Sequence, residues 1–389
     1  MSQIVDGVLK ALSLAFAMTW EITWALILGF TLSAVVQAVV SKREMGRLLP
    51  DDSPKSLATA CGLGAASSSC SYAAVALARS IFRKGANFTA AMAFELASTN
   101  LVVELGIIMA ILLGWQFTVA EFVGAPIMVA LMALLFRRFL SRDLVEQARQ
   151  EANVGRRGSM EGHAEMDMSV TEGTLWQRIF SDRGFTAISH YFVMDWASVW
   201  KDIFGGLLLA GALGAWVPQE WWQAFFFTRD PLISAIWGPI IGPVVSVISF
   251  VCSIGNVPLA AVLWNGGISF GSVIAFIFAD LIVLPILDIY RKYYGGRVAL
   301  FLAGIFYVSM VVAAWLIEAV FAALHLIPAE RNAQIIEASV QLNYTSVLNV
   351  LFLLLAAVLA WRFLRTGGPE MLRMMEAPPD QAAHMPSEA

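Results

Sequence analysis

Scarcity of charge constrains this 389-residue chain more than any motif does. Lys and Arg number 25 and Asp and Glu 29, together 14% of the residues, against about a quarter in ordinary soluble proteins. Sixteen of these charges fall between Arg137 and Arg183, so the rest of the chain is poorer still. Hydrophobic residues make up 59%, and mean hydropathy is +0.72. Such a chain cannot cover its own surface with polar groups. That excludes a soluble enzyme, a nucleic-acid binder and a disordered adaptor, and leaves an all-α polytopic membrane protein with the lipid bilayer as its solvent. The net charge of −4 carries little meaning here, because in a membrane the position of charges matters more than their sum. Cys61, Cys70 and Cys252 sit in apolar context and read as thiols, not bridges. The first thirty residues carry Asp6, Lys10 and Glu21 with no small-residue cleavage site after them, as expected of a retained first helix.

A spanning helix needs about 20 apolar residues. Stretches 22–40, 88–113, 119–136, 203–217, 270–287, 298–325 and 346–361 meet that requirement, about seven full spans. Segments 50–85 and 231–267 are longer than one helix, and neither is expected to be a simple one. The first contains Cys61-Gly-Leu-Gly64 and Ser67-Ser-Ser-Cys70; the second contains Gly238-Pro239, Gly242-Pro243 and Ser253-Ile-Gly-Asn256-Val-Pro258. The two segments share one register. Cys70 and Cys252, Ser71 and Ser253, Gly85 and Gly267, and Phe94 and Phe276 are all 182 positions apart, as expected of an internal duplication.

Lys and Arg favour the cytoplasmic side. If both broken segments crossed the bilayer, Lys42, Arg43, Arg47 and Lys55 would lie opposite Arg79, Arg83 and Lys84. If each segment instead enters and leaves by one face, these clusters and Arg137, Arg138, Arg142, Arg291, Lys292, Arg297, Arg362 and Arg365 all fall in the cytoplasm. This predicts two inverted-topology repeats with two re-entrant hairpins, half-helices meeting near the midplane, the N-terminus outside and the C-terminus inside. The expected divisions are 1–140, a first repeat with a cytoplasmic-side hairpin at 50–85; 141–184, a cytoplasmic linker; 185–330, a second repeat with an outside hairpin at 231–267; 331–366, a final helix; and 367–389, a loose tail. Residues 185–200 read as an interfacial helix leading into the next span.

Cys70 and Cys252 stand at equivalent places before half-helices, with Asn256 and Ser69 or Ser71 as expected N-caps. Helix N-termini lower thiol pKa and attract anions. Facing thiols suit a soft, thiophilic solute, while Ser69, Ser71, Ser253 and Asn256 with free N–H groups suit an oxyanion. The bland alternative is that Cys serves as a small buried hydrophobe and the polar groups satisfy hairpin backbone. Intramembrane acids form the second constellation. Glu95 has Ser98 and Thr99 at i+3 and i+4, Asn100 and Glu104 are spaced i,i+4, and Asp280 is the repeat equivalent of Ser98. A charge at helix centre costs on the order of 2.5–3.5 kcal/mol, so such groups are paired or functional. Glu95, Asp280 and Asn100 are therefore the proton-coupling candidates, while Glu21, Glu104, Asp288 and Glu318 read as interfacial. His163, His190, His325 and His384 are scattered, so no metal site, cofactor or nucleophile–base pair is expected.

Around Ser69-Cys-Ser71 through Phe94, and Val251-Cys-Ser-Ile-Gly-Asn-Val-Pro-Leu259 through Gly267 and Ala275-Phe276, the chain resembles the bacterial predicted-permease family that includes the organoarsenical (methylarsenite) efflux permeases. Two departures stand out: Ile254 occupies a place where the family typically has a further Cys, and Ala76 is the counterpart of Pro258. The resemblance implies an inner-membrane permease exporting a small solute. The expected function is thus a secondary-transport permease moving a small solute across the cytoplasmic membrane, by proton-coupled efflux of a thiophilic solute such as a trivalent organoarsenical, with a permease for a small sulfur-containing or other oxyanion as the alternative. An intramembrane enzyme would lack a base beside its nucleophile, and a scaffold leaves the acidic spans without a purpose. A homo-oligomer stays open.

Overall fold

A computed structural model describes residues 2–39, 48–67, 71–153, 168–216, 219–249, 253–331, 333 and 344–376. The described residues are almost all helical, with no strand among them. Six stretches among them are long and apolar enough to cross a membrane: Phe88–Leu112, Trp115–Phe139, Pro231–Ile248, Phe270–Tyr294, Gly296–Ala323 and Ser346–Arg365. Five match stretches read from the sequence.

The sixth lies in a segment expected to be interrupted at Gly238-Pro239 and Gly242-Pro243, yet Pro231–Ser249 is one helix with both prolines inside it. Proline disturbs the carbonyls three and four residues before it. Here a neighbouring helix repairs the damage: Trp315 Nε1 donates to Ile236 O at 3.0 Å and Tyr307 Oη donates to Ile240 O at 2.8 Å, each the carbonyl three residues before a proline. The prolines therefore bend the helix without ending it. Gly62 and Gly64 likewise lie within the helix Pro54–Ser67.

In chain order the first half comprises α1 (Ser2–Val39), α2 (Pro54–Ser67), α3 (Ser71–Arg83), α4 (Phe88–Asn100), α5 (Val103–Leu112) and α6 (Trp115–Phe139). Two connecting helices follow, α7 (Arg142–Asn153) and α8 (Leu175–Phe180). The second half comprises α9 (Asp182–Trp216), α10 (Gln219–Phe225), α11 (Pro231–Ser249), α12 (Ser253–Asn265), α13 (Phe270–Phe278), a 3₁₀ turn (Ala279–Leu281), α14 (Leu284–Tyr294) and α15 (Gly296–Ala323). α16 (Tyr344–Arg365) and α17 (Gly368–Glu376) complete it, so the first part of the expected loose tail is helical. Helix α9 passes through 185–200 unbroken, so no separate interfacial helix exists there. It packs along α1.

The 182-residue register extends to backbone detail. α3 and α12 begin and end at equivalent positions, and α2 and α11 end at equivalent serines. α3 and α12 each close in the same Schellman arrangement around a glycine at positive φ, Gly85 (+107°) and Gly267 (+106°). Gly85 N donates to Phe82 O and Ala86 N to Ile81 O; Gly267 N donates to Trp264 O and Ile268 N to Leu263 O. The next helix then starts at an equivalent N-cap, Asn87 on α4 and Ser269 on α13. Both following spans are also broken, at Leu101–Val102 and at Ile282–Val283.

Interactions at the helix ends define two faces. On one, Asn87 N donates to Leu49 O at 2.8 Å, and Arg137 pairs with Asp52 at 2.8 Å, which ties the start of α2 to the turn after α3. The first part of the 141–184 linker is helical, and α7 docks here. Ala148 and Ala152 are buried, and the buried Arg79 donates through Nε and Nη2 to Ala152 O at 3.2 and 3.0 Å, with Tyr293 beneath its guanidinium. We call this the basic face, for Arg83, Arg137, Arg138, Arg142, Arg291 and Arg297 around it. At the opposite face, Arg331 Nη1 donates to Trp264 O (3.1 Å) and Ile268 O (2.7 Å), and Asn265 makes two hydrogen bonds to the Ala333 backbone. These close the end of α12.

Asp51, exposed at the start of α2, accepts from Ser53 N and from Ser56 Oγ. Its carboxyl is pulled down to about 2 by the hydrogen bonds of Ser53 and Ser56. A lowered carboxylate contributes stability above its unfolded value, near 3.9, and loses it as pH falls through the folded one. The thermal midpoints of wild type and Asp51→Asn should therefore differ at pH 5 and converge as pH approaches 2. A difference that does not change with pH would remove Asp51 as an anchor of α2.

Candidate functional site

The two helix breaks bring the halves together. Ser71, the first residue of α3, donates its hydroxyl to Asp280 Oδ2 at 2.8 Å. The Thr99 hydroxyl lies beside the same carboxyl. Thr99 and Asp280 occupy nearly equivalent places in the two repeats, so this contact lies where the halves cross. From α14, Tyr290 Oη donates to Glu95 Oε1. Asp280 lies within electrostatic reach of Glu95 and of Glu121 on α6. Ser71, Glu95, Thr99, Asn100, Glu121 and Asp280 are all buried.

The local sequence explains the placement. After Thr99 and Asn100 the chain leaves the helix, with Val102 extended, so Asn100 and Glu104 are not one helical face as their i,i+4 spacing suggests. Asn100 Nδ2 turns back to Leu96 O (3.0 Å) and Thr99 Oγ1 (3.0 Å). Ser98 and Thr99 donate to the backbone carbonyls of Glu95 and Leu96, not to the Glu95 carboxyl. Glu104 is not interfacial either: it is 2% exposed, packed against Gly29. Asp288 and Glu318 are placed differently. Asp288 pairs with Arg291 and Lys292 at the basic face, and Glu318 accepts from Gly271 N.

Asn256 departs from its expected capping role. α12 already starts at Ser253, so Asn256 sits inside the helix, and its Nδ2 donates to Ser246 Oγ on α11 at 3.1 Å. Pro258 is tolerated because near a helix start it forfeits a single intrahelical bond. Ser71 is likewise helical, with its hydroxyl spent on Asp280. Ser69, Cys70, Cys252 and the side chains of Ser253 and Glu21 lie outside the described residues. Cys61 is half-buried in α2 and unbridged.

Sequence reasoning missed Glu121, Tyr290 and Tyr294. Glu121 had a signal, a lone acid inside an apolar span; the tyrosines had none. A pattern emerges from the buried oxygens near the crossing. Glu95 Oε2, Asn100 Oδ1, Glu121 Oε1 and Oε2 and Asp280 Oδ1 have no hydrogen-bond donor among the described residues. Each is an acceptor, and a buried acceptor left unpaired costs about 1–3 kcal/mol.

Residues 8–319 match the family described as predicted permease. The chain belongs to this permease family. A Mycobacterium tuberculosis (strain ATCC 25618 / H37Rv) protein carrying the name "Putative permease Rv2963" is 63% identical over 343 residues, covering 88% of this chain and 84% of that one. No solved structure matches it. The permease match runs from α1 to α15, and so includes segments 50–85 and 231–267, both helix breaks and the buried carboxyls of Glu95, Glu104, Glu121 and Asp280.

Proposed function

We propose that this permease is a secondary transporter built from two inverted halves, exporting a thiophilic solute such as a trivalent organoarsenical in exchange for protons. The observation that carries this reading is the Ser71–Asp280 hydrogen bond. It joins the start of a half-helix, the residue following Cys70 in sequence, to a buried acid of the other half. A solute held at Cys70 would thus adjoin a group able to exchange a proton.

Helix lengths support the inverted arrangement. At 1.5 Å per residue, the 13-residue α3 and α12 are about 20 Å long, short of the roughly 30 Å hydrocarbon core. The Leu49–Asn87 bond supports α2 and α3 entering and leaving by the basic face, and Gly238, packed against Ser269 and Ser272, supports the mirror arrangement at the opposite face. With the basic face cytoplasmic, the end of α16 at Arg362, bonded to Asp182, lies inside, and the start of α1 lies outside. The acidic crossing, with no cation bonded to it among the described residues, disfavours an oxyanion as the solute. In this reading Cys70, Cys252, Ser69, Ser71, Ser253 and Asn256 line the solute path, and Glu95, Asp280 and Asn100 serve the coupling.

The test is resistance of cells expressing Cys70→Ser or Cys252→Ser to methylarsenite. Both variants should lose protection that the wild type confers; wild-type resistance in both would remove the thiols from the mechanism.

A further inference from the structure

We propose that Glu121, Asp280 and Glu95 form a three-step proton route through the bilayer, with Glu121 as the step nearest the face opposite the basic one. This rests on the proton-coupled reading above and adds a residue and an order to it.

Helix register supplies the order. Glu121 lies six residues into α6 from its opposite-face end, about 9 Å deep at 1.5 Å per residue. Asp280 follows the start of α13 by ten residues, about 15 Å from the same face. Glu95 lies seven residues into α4 from the basic face, about 10 Å from that side. The three acids therefore stand at successive depths, with Asp280 in electrostatic reach of both others.

Glu121 is the member for which packing offers no other role. It is 0% exposed, on a helix packed against α4, α5, α13 and α15, and neither carboxyl oxygen has a hydrogen-bond partner among the described residues. The titratable groups on those elements are Glu95 on α4, Glu104 on α5 and Arg297, Tyr307 and Glu318 on α15, with Asp280 just beyond α13; Arg297 stands at the basic-face end of α15 and Tyr307 donates to Ile240 O, so the groups left to face Glu121 are acids. One turn toward the opposite face, Phe117 packs against Trp264 (5.1 Å) and Phe270 (4.6 Å). Beyond this aromatic group lies a cavity of about 470 Å³ lined by Leu113, Gln116, Trp264 and Glu330. Glu121 is thus the first acid beneath an aromatic barrier that separates it from that cavity.

The steps balance as proton hops. A hydronium ion in the cavity gives its proton to the Glu121 carboxylate and leaves as water. Its O–H bond then breaks as the proton passes to the Asp280 carboxylate, which leaves Glu121 ready to be reprotonated. Asp280 passes the proton on to the Glu95 carboxylate, which Tyr290 orients, and Glu95 releases it toward the basic face.

Glu121→Gln keeps shape and removes the exchangeable proton; Glu121→Asp keeps the proton and guards against a packing artefact. Purified wild type and both variants, checked for a monodisperse fold, are reconstituted in liposomes with methylarsenite as the probe. Accumulation driven by a pH gradient is divided by exchange at equal pH. That ratio should fall about tenfold or more in Glu121→Gln, as for loss of a positioned proton-transfer group, and should recover in part in Glu121→Asp. A ratio within twofold of wild type in Glu121→Gln overturns the proposal. If the wild type moves no methylarsenite, the parent reading fails separately and infrared difference spectra decide on Glu121. A protonated-carboxyl band that fades with rising pH in wild type and is missing in Glu121→Gln supports the step; a Glu121 band indifferent to pH, or no such band, overturns it.

Discussion

Gly64→Val should strongly destabilise the fold, whereas Gly62→Val, two residues away on the same helix, should be silent. A Cβ at Gly64 would strike the backbone carbonyl of Phe94 and come within 3.0 Å of Ala97 Cβ and Ser98 N. Backbone cannot rotate aside as a long side chain can, so α2 would have to lift off α4, the helix that carries Glu95 and Thr99. Overpacking of this kind costs roughly 3 kcal/mol, and helix contacts in lipid depend on small residues because no hydrophobic force compensates for a lost fit. Gly62 has nothing within 4 Å, and valine is a better helix former than glycine, so its replacement carries no packing penalty. Thermal unfolding in detergent, read with monodispersity, separates the two. Equal midpoints would mean that α2 and α4 are not held by backbone-close packing.

What was readable in the sequence follows from what leaves a local signature. Gly85 and Gly267 need positive φ, which few residues other than glycine adopt, so the turn after each half-helix was visible as a repeated glycine. Asp280 and Glu95 were visible because acids are rare in apolar spans. The break after Asn100 was invisible: Leu101-Val-Val103 is apolar and carries neither Gly nor Pro, so nothing local marks the exit from the helix. Its counterpart before Leu284-Pro285 has a proline, yet that signal was absorbed into the apolar run 270–287. The prolines of α11 misled in the opposite sense. Proline predicts interruption only when no neighbour serves the freed carbonyls, and Tyr307 and Trp315, more than sixty residues downstream, serve them. A single sequence cannot reveal a repair made from that distance.

Asp280→Asn should uncouple transport while leaving the crossing assembled. Asparagine keeps an oxygen where Asp280 Oδ2 accepts from Ser71, so the contact between α3 and the second half survives, and only the capacity to take up and release a proton is lost. Gradient-driven methylarsenite efflux from vesicles should fall by roughly a hundredfold, the lower range for removal of a proton-transfer group. Ser71→Ala provides the converse. It deletes the hydrogen bond, worth about 1 kcal/mol, but leaves the carboxyl, so its efflux should keep its dependence on the pH gradient. Glu95→Gln should resemble Asp280→Asn in kind, since Tyr290 can still donate to the amide oxygen, and Tyr290→Phe should weaken coupling less than either because the Glu95 proton remains. If Asp280→Asn drives efflux as well as the wild type, the acid between the repeats is a fastener and not a coupling group. The Ser71 contact would then account for its burial, and the proton route would have to bypass the point where the two halves meet.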